Sequence, residues 1–209
     1  MRSARRATAK DAKREATRAR LLDAARRLFA EHGYSGVSTT EIAREAGVTH
    51  GMVNAHFHSK AGLLFELISE SNALQEDAAR SVAESEGDCL SRLKKVIDIF
   101  LHHDLQDLEL YGIMQAYSWR WPYDYERRNR EQVAQALAPV RRLVEEAQAQ
   151  GELRAECDPD AVTELFFAVY TRATRAALFD DATAEECAAR ILAQLRLALD
   201  GLRPAPGAG

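Results

Sequence analysis

The chain has 209 residues, 46% of them hydrophobic and 29% charged, the ordinary balance of a soluble globular protein. No apolar run approaches the roughly 18 residues needed to span a bilayer. The basic N-terminus lacks the apolar stretch of a secretory signal, and Cys89, Cys157 and Cys187 fit neither a disulfide framework nor a zinc spacing, so a reducing cytoplasm is expected.

The net charge of −4 divides into +5 over residues 1–68 and −9 over residues 69–209. A basic front end on an acidic body marks the front end as the part that meets a polyanion; chance clustering on solvated helices is the alternative. Residues 1–16 are read as a basic arm, either tracking phosphates or solubilising the chain. In the first helix, Leu21, Ala25, Leu28, Phe29 and His32 follow the spacing of one face. Gly33 stops it.

Ser38 with Glu41 forms a capping box, so a short helix starts at Thr39, turns Ile42, Ala43 and Ala46 inward and ends at Gly47. Thr49 can cap the next helix, held to the core by Met52 or Val53 and by Phe57. Ser59 caps a fourth helix, with Leu63, Leu64, Leu67, Ile68 and Leu74 on its apolar side. "EGD" at 86–88 is a break before a helix marked by Leu93, Ile97, Leu101 and their neighbours. The helical segment 123–150 carries Pro139, which should kink or break it. The last two helices cover 159–180 and 183–202, and 203–209 reads as a frayed tail. The fold is therefore all-α, with a three-helix head over 17–62 and a helical body over 63–202.

Two short helices across Gly47 are a helix–turn–helix. The second helix of that motif enters the major groove of DNA. Val48, Val53 and Phe57 hold it to the core, which leaves Thr49, His50, Gly51, Asn54 and His56 outward, able to meet base edges or phosphates. Gly51 weakens its helix by about 1 kcal/mol relative to alanine; it either lets backbone approach DNA or is a tolerated helix-start glycine. Lys60 lies in the first turn of the fourth helix, where the macrodipole disfavours a cation. A bound phosphate would reverse that argument, so phosphate contact is expected. His50, His56 and His58 are not a metal set on this reading, and His58 has no assigned role.

Residues 17–68, "TRARLLDAARRLFAEHGYSGVSTTEIAREAGVTHGMVNAHFHSKAGLLFELI", resemble the DNA-binding domain of TetR-family transcriptional regulators. The likeness joins the "A..LF.E.GY" helix, the "IA..AGV" helix and the "HF.SK..L" run, and covers about the first third of the chain. It implies a homodimer on a palindromic double-stranded operator, usually a repressor, with a helical C-terminal domain that binds a small molecule and then releases DNA. It implies further that Ser38, Thr39 and Thr40 start the helix that braces the backbone. Thr49, His50, Gly51 and Asn54 lie on the recognition helix, and His56 and Lys60 occupy phosphate-contacting positions. Asn54 departs from the family pattern, which often has an aromatic there. Asparagine pairs bidentately with adenine, so one operator position should be unusual. By the same resemblance, the last two helices pair with their twins.

In the body, Tyr117, Trp119, Trp121, Tyr123 and Tyr125 crowd one short stretch. Pro122 makes this a helix end, a loop and a helix start. Trp119, Trp121 and Tyr123, with Tyr111, Met114, Phe166 and Tyr170, are candidate walls of a ligand site; plain core or interface packing is the alternative. His102, His103 and Asp104 look like a metal cluster, but adjacent helical side chains point about 100° apart. No nucleophile motif, glycine-rich phosphate loop or zinc pattern stands out, so neither catalytic residues nor a cofactor is expected. Two further readings stand beside ligand control: oxidation of Cys89, Cys157 or Cys187, and a helical enzyme.

Overall fold

The computed structural model describes residues 8–83, 85–117 and 119–201. Residues 1–7 of the arm, the tail from 202 onward and the side chain of Leu74 lie outside the described residues. Among those described there are nine helices and no strand. The helices are α1 (Ala9–Gly36), α2 (Thr39–Glu45), α3 (His50–Phe57), α4 (Lys60–Ala83), α5 (Cys89–Gln106), α6 (Leu108–Tyr117), α7 (Tyr123–Ala149), α8 (Pro159–Phe179) and α9 (Ala184–Asp200).

Most starts follow from local chemistry. Thr8, Ser38 and Thr183 each form a capping box with the acid three residues on, which satisfies two otherwise orphaned backbone donors. Asp88 and Asp158 cap α5 and α8, and Pro159 opens α8 where its missing N–H does no harm. Ser59 accepts from the Gly62 amide at 3.0 Å and so caps α4. Thr49 occupies the cap position of α3, yet its side chain makes no capping bond.

Four expectations need correction. Residues 9–16 are not a separate arm, because the Thr8–Asp11 box starts α1 there. His32 is exposed, whereas Leu22 and Ala24 join Leu21, Ala25 and Phe29 in the core. Gly33 (φ 68, ψ 159) breaks α1, but the chain resumes a helical path to Gly36. Helix α7 runs on through Pro139 without a break. A proline removes one helix hydrogen bond; here Pro139, Val140, Leu143 and Val144 are buried together, and that burial offsets the loss. Of helix α6 only the end before Pro122 was expected from the sequence; the Asp107 carboxylate accepts from the Leu110 amide at its start.

Two apolar cores result. The head core gathers Leu21, Ala25, Phe29, Ile42, Val53 and Phe57 around the start of α4. The body core runs through α5, α7, α8 and α9. The boundary expected at 62/63 is crossed by α4, whose Leu63, Leu64, Leu67 and Ile68 belong to the head core. Leu110 of α6 is buried in the same core. The head is thus closed from below by the body's own helices.

Candidate functional site

The head presents one polar face. Thr49, His50, Gly51 and Asn54 are all exposed on α3, with Ser38 and Thr40 exposed at the start of α2. Thr39 Oγ1 lies 3.1 Å from His50 Nε2, so the first residues of α2 and α3 brace each other. Ser38 is committed to its capping box with Glu41. A Cβ added to Gly51 would meet open space. The fold therefore does not require glycine there.

His56 is half-buried. Burial lowers its pKa, and Arg14 and Arg18 of α1 push in the same direction, so near neutral pH it is an uncharged imidazole. The N-terminal part of α1 thus contributes to this face, which the helix–turn–helix argument had left out. Arg14 lies in the segment read from the sequence as a basic arm; Arg18 itself is held by Glu66 at 2.8 Å and Glu70 at 2.7 Å.

Lys60 is placed differently from its expected role. Its ammonium donates to the Tyr34 carbonyl at 2.8 Å and the Val37 carbonyl at 2.7 Å, and stands 4.4 Å from the Tyr34 ring centre. It therefore ties the end of α1 to α4, with one N–H left for any anion. Burial lowers its pKa, against Glu41. His58 gains a role: with φ 64 it turns the chain between α3 and α4, and the Ser59 amide bonds back to the Phe57 carbonyl at 2.7 Å. Such a tight turn is strained for a residue with a Cβ.

The join between head and body has no slack. Gly62 is buried, and a methyl group there would overlap the Phe57 carbonyl and the Tyr125 hydroxyl. Rings continue across the join. Tyr34 of α1 contacts Tyr117 of α6 at 4.6 Å, Tyr117 contacts Trp121 at 5.0 Å, and Trp121 meets Phe65 of α4 at 5.9 Å.

Trp121 also faces a cavity of about 810 Å³ in the body. Tyr111, Met114, Phe166 and Tyr170 line it as expected, and Trp119 reaches only its mouth, being 94% exposed. Tyr123 does not line it; its side chain is 85% exposed to solvent. The sequence reading missed Gln75, Phe100 and Asp104 in the wall. Asp104 accepts hydrogen bonds from Tyr170 Oη at 2.7 Å and from the Gln75 amide. Burial raises its pKa to about 6, against those two hydrogen bonds. Its signal was the seven-residue spacing from Ile97, a carboxylate on an otherwise apolar stripe. His102 and His103 stand with rings nearly perpendicular, 5.8 Å apart, and neither is in the cavity wall.

All three cysteines are buried. Burial pushes the Cys89 thiol up to about 11 and raises Cys157 and Cys187 as well. Oxidation proceeds through an exposed thiolate, so control by thiol oxidation loses its footing.

A braced helix–turn–helix head on an all-helical body with an internal cavity defines a one-component regulator architecture. Comparison with known proteins gives the family. The family described as "Bacterial regulatory proteins, tetR family" matches residues 21–67, and "Tetracyclin repressor-like, C-terminal domain" matches residues 122–192. The chain belongs to the TetR family. The HTH-type transcriptional regulator AcrR of Shigella flexneri is 42% identical over 93 residues, 43% of each chain. The match thus spans less than half the length of that relative. A Shewanella sp. PV-4 structure assigned to the family has a TM-score of 0.70 and 26% identity, covering 90% of this chain and 99% of that one. The Bacillus subtilis regulator FadR, solved in complex with stearoyl-CoA, has a TM-score of 0.75 at 20% identity, covering 88% and 99%. Among the described residues no helix is long and apolar enough to cross a membrane.

Proposed function

We propose that this protein is a dimeric transcriptional repressor that binds a palindromic operator and leaves it when a small molecule occupies the body cavity. The observation that carries the reading is α6. Its Tyr111, Met114 and Gln115 line the cavity, while Leu110, Ile113 and Tyr117 pack into the head core. A ligand that moves α6 thereby moves the floor under α1. The cavity's volume lies within the range of small-molecule sites, and the fold neighbour FadR holds a ligand, stearoyl-CoA. The relatives are regulators by name, which supports binding over catalysis.

Thr49, His50, Gly51 and Asn54 read base edges on this proposal. Thr39, Thr40 and His56 meet the backbone, Ser38 starts the bracing helix through its capping box, and Lys60 gives its remaining N–H to a phosphate. Dimerisation falls to α8 and α9, whose Leu165, Phe179 and Leu197 are exposed apolar side chains. Such a patch favours a twofold partner. The two recognition helices would then meet half-sites about 34–36 Å apart.

The test is anisotropy titration of the protein against DNA from its own promoter and against scrambled DNA, over a salt series. Specific binding at moderate salt is expected; equal affinity for both DNAs overturns the proposal. His50→Ala should relax sequence preference. Lys60→Ala should weaken all sequences alike and reduce the salt slope.

A further inference from the structure

Asp104 is a carboxylate in the wrong place for a purely apolar site. It sits on α5 between Phe100 and the α8 ring of Tyr170, facing the cavity. Its hydrogen-bond partners, Tyr170 Oη and the Gln75 amide, are both uncharged, and among the described residues no cation pairs with it. The other charges of the wall are at its rim. There Arg130 is held by Glu126 at 2.6 Å, and Arg141 by Asp160 at 2.6 Å and Glu145 at 2.5 Å. Glu164 adds another carboxylate to the wall. The lining thus offers four carboxylates against two guanidiniums, both already engaged.

Around Asp104 stand aromatic faces. Phe100 and Phe166 meet edge to face at 6.2 Å, Phe100 and Tyr170 at 5.9 Å, and Trp121 closes the side toward α6. Aromatic faces attract cations and repel anions through their quadrupole. A carboxylate that shares a cavity wall with these rings is therefore complementary to a positive charge carried on an apolar body.

We propose that the effector is a lipophilic cation, an arylalkyl- or alkylammonium or an amidinium, whose N–H donates to Asp104 while its apolar part lies against Phe100, Phe166 and Trp121. This rests on the reading of the cavity as the effector site. The raised pKa of Asp104 agrees with it, because a carboxylate perturbed by burial beside a cavity is a candidate functional group. A cation would supply the missing charge. Of the titratable groups facing Asp104, Tyr170 of α8 and Tyr111 of α6 are both pushed above the usual tyrosine range, and Gln75 of α4 does not titrate. Asp104 is thus the group facing the cavity interior whose charge changes near neutral pH.

The test uses the full-length protein and three probes on one ring system: naphthylmethylamine, naphthylmethanol and naphthoate. Each is titrated by calorimetry into wild type and Asp104→Asn. The amine should bind wild type roughly tenfold to a hundredfold more tightly than the alcohol, the range of one charge-assisted hydrogen bond. The naphthoate should bind most weakly. Asp104→Asn should remove the amine's advantage and leave the alcohol unchanged. In wild type the advantage should fade as pH drops through about 6, when the carboxyl takes up its proton. That arm stands even if the variant does not fold. Naphthoate or naphthylmethanol binding as well as the amine overturns the cation proposal while leaving the cavity reading intact. An undiminished amine preference in Asp104→Asn overturns it too. No binding by any probe removes the cation proposal together with the cavity reading; operator binding alone then remains.

Discussion

In the head, polar side chains face outward or are spent locally: Ser38 and Glu41 satisfy one helix end, and Lys60 holds the carbonyls of another. In the body, polar side chains turn inward, and Asp104, Gln75 and Tyr170 meet across three helices beside a cavity. The head is built to hold a shape, whereas the body keeps a charged group where water is scarce. A rigid reader can afford to have its polar groups at the surface, because its partner arrives from outside. A sensor must keep them within.

The largest expected effect breaks the join between the two. Gly62→Ala drives a methyl into the Phe57 carbonyl and the Tyr125 hydroxyl. A loss of about 3 kcal/mol or more is expected, the upper end for overpacking, read as the midpoint of urea denaturation. An unchanged midpoint would mean that head and body are not packed as described.

Asp104→Asn should stabilise the protein. The folded-state carboxyl has its pKa raised from 3.8 to about 6, so the folded state holds its proton more tightly than the unfolded chain. Stability from this group is present at low pH and is lost as pH rises through that window. The asparagine should therefore add about 3 kcal/mol above pH ~7 and little near pH ~4, as thermal melts at the two pH values will show.

Lys60→Met removes the donor to the Tyr34 and Val37 carbonyls. A loss of about 1–2 kcal/mol in stability is expected, even without DNA. A variant as stable as wild type would make Lys60 a phosphate contact alone. The smallest effect is at Gly51, where a Cβ meets nothing. Gly51→Ala should raise stability by up to about 1 kcal/mol while weakening operator binding. If affinity holds, the glycine serves neither fold nor DNA.

The head was legible because its code is local. Ser38 with Glu41, Gly47 in its turn at φ 65 and the apolar spacing of Ile42, Val53 and Phe57 all act within a few residues. The body's helices were equally legible, apart from most of α6 and the passage through Pro139. Its cavity was not, since Gln75, Asp104, Trp121 and Tyr170 come together only when three helices and a loop pack. Composition found the aromatic cluster, but burial decided which rings mattered, and Tyr123 fell on the solvent side. Lys60 was misjudged for a related reason: a dipole argument about its own helix could not see the carbonyls of α1.

The closeness at Gly62 also bears on how this molecule could be re-engineered. Reader and sensor invite exchange, with one protein's DNA address joined to another's chemical trigger. Here the seam is keyed. Phe57 and Gly62 lie on the head side and Tyr125 on the body side, so a graft made just after Gly62 must bring a compatible first turn of α7 or accept a misfitted hinge. Splicing partners for this head should be chosen by that contact before they are chosen by ligand.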